Sequence, residues 1–158
     1  MKKFSKSLII FFIIFVLSFF ISKYYLQFIL ISGDSMKPTY SNNQLALLNK
    51  HFSEQDITQG SIVAVKSKKL NCTLIKRIVA VPGDTVCIKD HQLYINRQPY
   101  SPTLNYTQIQ NDFPLIKLDS NEYFIMGDNC NNSIDSRNVN VGLIKFDSIY
   151  GIIYISTP

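Results

Sequence analysis

The hydrophobic pattern changes character about one fifth of the way along the chain. From Leu8 to Ile21 nearly every position is apolar. Lys2, Lys3 and Lys6 precede that run, Lys23 follows it, and the apolar character then resumes to Ile31. A helix over residues 7 to 25 would be roughly 28 Å long, enough for a hydrocarbon core of about 30 Å. The flanking lysines put the N-terminus on the cytoplasmic side, so everything after the helix faces outward. A cleaved signal peptide would have a shorter apolar stretch followed by a small-x-small site. Bulky Tyr24, Tyr25, Leu26 and Phe28 stand there instead, which favours a retained anchor. The expected division is therefore a cytoplasmic segment 1–6, a transmembrane anchor 7–25 and an extracytoplasmic domain 26–158.

Beyond Tyr40 the apolar residues come in short groups. The segments 44–48, 61–65 and 74–81 are rich in β-branched or apolar residues and bounded by polar, Gly or Pro punctuation, which reads as strands. Segments 86–89 and 92–96 flank Asp90-His91 and predict a hairpin. Pro99, Pro102 and Pro114, with many Asn and Gln between 97 and 117, predict a surface loop, so that residues 85 to 120 form a small hairpin-and-loop lobe. Two more strands are expected at 122–126 and 148–155. No amphipathic helix, internal repeat or low-complexity tract follows the first segment. Short strands separated by turn signals about every ten residues predict a mostly-β sheet or barrel domain behind one N-terminal helix.

Composition narrows the function classes. The chain has 158 residues, 46% of them hydrophobic, and a net charge of +5. Removing the anchor leaves roughly 120 residues, long enough to bury a core. The lysines and arginines are scattered, so the excess charge does not imply nucleic-acid binding. No Gly-rich phosphate loop is present. Cys72, Cys87 and Cys130 have neither metal-site spacing nor an even count, so no zinc site and no full disulfide framework follows. His51 and His91 sit in polar surroundings, as exposed loop histidines do.

Three segments carry candidate chemistry. The first is Ser32-Gly33-Asp34-Ser35-Met36-Lys37-Pro38-Thr39-Tyr40, just past the apolar segment, where Ser35 is the candidate nucleophile. A serine in a loop marked by Gly and Pro is ordinarily a turn residue; the other two segments change that reading. In Leu74-Ile75-Lys76-Arg77-Ile78-Val79-Ala80-Val81, alternation places Lys76 on a face with Leu74, Ile78 and Ala80. A lysine there either snorkels from a strand end or is a buried amine. Burial disfavours the ammonium and lowers the pKa from about 10.4. The neutral amine is then a competent base for a serine hydroxyl. The third segment, Gly127-Asp128-Asn129-Cys130-Asn131-Asn132-Ser133-Ile134-Asp135-Ser136-Arg137, is dense in residues that bond to backbone. By itself it is a polar turn with a local Asp–Arg pair.

Together the three segments resemble the boxes of the type I signal peptidases, the membrane-anchored serine endopeptidases of bacteria. The Ser-Met-x-Pro-Thr stretch at 35–39 resembles the nucleophile box. The run from Lys76 through Pro82-Gly83-Asp84 resembles the general-base box. Gly127, Asp128, Asn129, Ser133, Asp135, Ser136 and Arg137 resemble the last. Gly60-Ser61-Ile62-Val63 is similar to a further box, with Ser61 in place of an aspartate. The single anchor and the short interval between the second and last boxes resemble the compact Gram-positive type.

That resemblance implies a role for each matching residue. Ser35 attacks the scissile carbonyl, and Lys76 takes its proton and returns it to the leaving amine. Ser133 orients Lys76. The Ser35 backbone N–H, in the region of Gly33, serves the oxyanion. Asp135 and Arg137 form a supporting ion pair, with Asp128 as a further support. Ile29, Ile31, Met36, Leu74 and Ile75 line shallow apolar subsites suited to small residues at the first and third positions before the cleaved bond. No metal and no cofactor is implied. The partners implied are preprotein signal peptides, the lipid bilayer and the secretion translocon. Tyr40 departs from the usual leucine, which predicts an altered subsite edge. Gly33 stands where many Gram-negative members place a serine hydroxyl. The competing readings are a specialised relative, such as a conjugation-type peptidase that matures a pilin, and an inactive tethered β domain that binds signal peptides.

Overall fold

The computed structural model describes residues 2–101 and 109–154, without the side chains of 2–5 and 22. Pro102, the end of the strand expected at 148–155, and the charges of Lys2 and Lys3 lie outside that description. Helix α1 (Lys2–Tyr24) runs for 23 residues. Its large side chains from Leu8 to Ile21 are exposed on every side. Its described side chains are unbroken only from Lys6 to Ile21, and among the described residues no helix is long and apolar enough to cross a membrane.

Among the described residues ten strands follow: β1 (Leu26–Leu30), β2 (Leu45–Asn49), β3 (Ile62–Ser67), β4 (Cys72–Ala80), β5 (Thr85–Lys89), β6 (Gln92–Ile95), β7 (Gln98–Pro99), β8 (Phe113–Lys117), β9 (Phe124–Met126) and β10 (Ile149–Tyr154). The larger sheet has the order β1-β2-β10-β3-β4-β9 and the smaller one β7-β6-β5-β8. The mostly-β expectation therefore holds. The strands read from the sequence appear within a residue or two of their predicted limits. Three were not read from it, one of them the two-residue β7, which lies inside the segment expected to be loop. β1 was hidden because its Leu26, Phe28 and Leu30 continue the apolar run of the helix. β8 lies inside the segment expected to be loop, where Pro114 argued against a strand. It is an edge strand of its sheet, and an edge is where a proline is tolerated. The hairpin at Asp90-His91 is present, with both turn residues at positive φ (51° and 65°), the backbone that matches strand twist in a two-residue turn.

Three apolar clusters fill the structure. One, including Ala80, Val86, Leu93, Phe124 and Met126, joins the two sheets. A second gathers Val63, Val65, Ile78, Ile125 and Ile152. The third holds Ile31, Met36, Tyr40, Ala46, Leu48, Ile62, Ala64 and Ile153. Lys76 was placed on one face with Ile78 and Ala80. A bulge where β4 passes β9 breaks that alternation between Ile78 and Ala80, so these two fall into different clusters.

Candidate active site

The nucleophile loop leaves β1 and is nailed to the third cluster. Met36 and Tyr40 are fully buried there, on either side of the exposed Lys37 and Pro38. The Tyr40 hydroxyl donates to Tyr154 O at 3.1 Å. Tyr40 therefore anchors the loop from beneath, and the altered subsite edge expected from it is not found: it does not line the groove described below. Its size is absorbed by the core. With Met36 and Tyr40 pinned, Ser35 is held at the surface.

Lys76 comes from the middle of β4, paired with Val63 of β3. It is 4% exposed, and its Nζ donates to Ser35 Oγ at 2.6 Å. Burial pushes the Lys76 pKa down from the usual lysine value. Asp135 and Asp128 pull it part of the way back, and Arg137 pushes it down again. A lysine in these surroundings exists as the neutral amine more readily than one in water.

The third segment closes over this pair. Asn129 N–H donates to Ser35 O at 3.0 Å, and Asn129 Nδ2 to Asp34 O at 3.2 Å. Gly127 lies so close that a Cβ there would meet Ser35 O and the Ser133 side chain, with Ser133 Cβ at 2.7 Å. Only glycine lets the two loops approach this far. The Ser133 hydroxyl is buried and has no hydrogen-bond partner among the described residues. The resemblance implies a bond between Ser133 and Lys76; the bond that the Lys76 amine makes here is to Ser35 Oγ.

Two ion pairs hold the segment. Arg137 grips Asp135 through Nε (2.8 Å) and Nη2 (2.7 Å), and Gly127 N–H donates to the same carboxylate at 3.1 Å. Asp128, 0% exposed, is gripped by Arg77 through Nε (2.8 Å) and Nη2 (2.6 Å). It also accepts from the Thr39 hydroxyl. Arg77 Nη1 continues to Gly60 O at 2.8 Å. Arg77 and Thr39 thus tie all four boxes together. Sequence reasoning gave neither a role, although Arg77 beside an inward lysine, with a spare Asp128 in another box, was the available signal.

Beside the pair runs a groove of about 790 Å³. Ile29, Ile31, Met36, Leu74 and Ile75 all line it, together with Ser35, Lys76 and Ser133. Gly33 lines its near end with φ +89°, and the space where its side chain would be is open. Its N–H is taken by Asn42 Oδ1 at 2.8 Å.

Residues 4–156 match the family described as signal peptidase, peptidase S26. The chain belongs to the signal peptidase family. Signal peptidase I S of Bacillus subtilis (strain 168) is 37% identical over 135 residues, covering 77% of this chain and 71% of that protein. Signal peptidase I P of Bacillus subtilis subsp. natto is 31% identical over 151 residues, 87% of this chain and 80% of that one. The crystal structure of a signal peptidase I from Enterococcus faecalis V583 superposes with a TM-score of 0.51 at 26% identity. It covers 60% of this chain and 94% of that one. As in any serine endopeptidase of the family, the chemistry needs an activated hydroxyl beside a cleft that takes extended peptide. In this signal peptidase Ser35 and Lys76, in hydrogen-bond contact, both line the groove.

Proposed function

We propose that this signal peptidase cleaves signal peptides from exported preproteins with Ser35 as nucleophile and Lys76 as general base. One observation carries the assignment: a serine hydroxyl 2.6 Å from a buried lysine amine at the wall of an apolar groove. With Lys76 neutral, the Ser35 proton passes along that contact as Oγ bonds to the scissile carbonyl carbon. The carbonyl oxygen becomes an oxyanion, which the Ser35 N–H stabilises. Collapse breaks the C–N bond, and Lys76 returns the proton to the leaving amine. Water then attacks the ester carbonyl and gives a proton to Lys76; as the second tetrahedral intermediate collapses, the C–Oγ bond breaks, Lys76 returns that proton to Ser35 Oγ, and the signal peptide leaves with a new carboxyl group. While Lys76 holds a proton it is a buried cation. The unpartnered Ser133 hydroxyl, close to Ser35 across Gly127, is the acceptor we assign to it.

Ile29, Ile31, Met36, Leu74 and Ile75 make the groove apolar near Ser35 and suit small side chains before the cleaved bond. Helix α1 serves as a single-pass anchor with its N-terminus in the cytoplasm and the β domain outside. The supports are its all-round apolar surface and its length of about 34 Å at 1.5 Å per residue. The groove would then open at the membrane face where a preprotein emerges. Incubating the full chain in detergent with a preprotein, and sequencing the N-terminus of the product, tests the activity. Ser35→Ala must abolish the product. Cleavage by that variant at the same bond would remove Ser35 from the mechanism.

A further inference from the structure

The far end of the groove is built differently from the part beside Ser35. Gln27 and Ile29 of β1 and Ile31 just past its end all line it, each two residues from the next and so on one side of the extended chain. The two isoleucines are apolar, whereas Gln27 brings an amide. Tyr150 of β10 lines the same end, and its hydroxyl donates to Gln27 Oε1 at 3.2 Å. That bond occupies the amide oxygen, and among the described residues Gln27 Nε2 has no partner. Two ammonium groups stand over the Tyr150 ring, Lys66 Nζ at 4.2 Å and Lys50 Nζ at 5.5 Å from its centroid. Lys50 also reaches Lys23 O at 3.3 Å. One ring face attracts a cation without neutralising it. Lys66 is exposed and makes no ion pair among the described residues. Neither lysine lines the groove itself, but both ammonium groups stand beside its Tyr150 end, which is therefore positive.

An extended substrate turns every second side chain to the same side, about 6.6 Å apart. If its first and third residues before the cleaved bond face the apolar part, the fifth is the next to face the same wall. The step from Ile29 to Gln27 on β1 has the same length. We propose that Gln27, Tyr150 and Lys66 form a subsite for that fifth residue, selecting an acidic or hydrogen-bond-accepting side chain. Lys50 adds to the potential. The inference rests on the Ser35–Lys76 reading of the site and extends it to a stretch of substrate beyond the apolar subsites.

The test uses the full chain in neutral detergent and one preprotein whose fifth residue before the cleaved bond is Glu, Gln, Ala or Lys. The expected order of kcat/KM is Glu, Gln, Ala, Lys. Exposed charge pairs set the scale, so Glu should exceed Lys by about two- to fivefold. Added salt should shrink that ratio. Lys66→Gln should bring Glu and Gln together while Gln still exceeds Ala. Gln27→Leu should remove the advantage of Gln over Ala. Equal cleavage of the four substrates, or the same ranking in wild type and both variants, overturns the subsite. Cleavage by Ser35→Ala would instead overturn the reading of the catalytic pair, so the two failures are distinguishable.

Discussion

Lys76 Nζ stands 2.6 Å from Ser35 Oγ, and the lysine that carries it is 4% exposed. Burial favours the protonation state that a base in this contact needs. Removing water from the amine lowers its pKa, and the neutral amine is the form that accepts the serine proton. kcat/KM should therefore rise with pH through the depressed Lys76 pKa, giving a neutral to alkaline optimum. Lys76→Ala should lose nearly all cleavage. Lys76→Arg should not restore it, because a guanidinium stays protonated. A pH–rate profile on one preprotein checks this, and a rate that falls steadily from pH 6 to pH 9 counts against a lysine base.

The same burial has a cost in stability. The folded pKa of Lys76 lies below its unfolded value of 10.5. Between those two values the unfolded chain binds more protons, so this residue's contribution to stability improves as pH rises through the window. Below the folded pKa the penalty is felt in full. Lys76→Met, similar in length and uncharged, should melt above wild type at neutral pH. The difference should shrink toward pH 10. Paired thermal melts at pH 7 and pH 10 measure it, and a difference that widens with pH would contradict the assignment of a desolvated amine.

Much of this was legible in the sequence. A strand written with β-branched residues predicts a sheet wherever it lies, and a lysine within one stands out because ammonium groups are seldom buried. Local pattern failed where it is ambiguous. β1 reads as more helix because both are apolar, and only pairing with β2 decides it. Tyr40 reads as an edge residue because its size shows but its depth does not. The grip of Arg77 on Asp128 joins residues 51 apart in the chain, a separation at which no spacing rule operates. The Ser133 contact illustrates a different limit. Its position in the loop was expected, whereas its hydrogen bond depends on which partner holds the Lys76 amine.

The two carboxylates that support the site are almost sealed from solvent, Asp128 at 0% and Asp135 at 1%. Each has its own arginine. Removing one partner of a buried pair strands the other charge and costs about 3–5 kcal/mol. Arg77→Ala and Arg137→Ala should each lower the melting temperature, and each should reduce cleavage as the loops over Ser35 loosen. Arg77→Lys keeps the charge but not the two-pronged contact, so it should fall between wild type and Arg77→Ala. Thermal melts beside kcat decide it. An unchanged melting temperature in either alanine variant would mean that its pair contributes nothing to the fold.

Gly33 and Gly127 lie close to Ser35 and should fail for different reasons when substituted. At Gly33 there is open space where a Cβ would point, but φ is +89°, a backbone that side-chain-bearing residues adopt at a cost of about 1–3 kcal/mol. Its N–H is already committed to Asn42, so an oxyanion contact from this position would have to come from a side chain. Gly33→Ser should therefore fold with a lowered melting temperature and keep or raise kcat. Gly33→Val, β-branched, should be severely impaired. At Gly127 the backbone is ordinary and the space is absent, because a Cβ would collide with Ser133 and with Ser35 O. Backbone cannot swing aside as a side-chain tip can, so Gly127→Ala must push the last loop off the nucleophile loop. We expect near-total loss of kcat, with the Asn129–Ser35 bond broken. Removing the Ser133 side-chain oxygen as well, in Gly127→Ala with Ser133→Ala, should not rescue it, since Ser35 O and Ser133 Cβ remain in the way. Measuring kcat and melting temperature for the four variants separates strain from collision. A Gly127→Ala enzyme with wild-type kcat would show that the loops need not meet as closely as they do here.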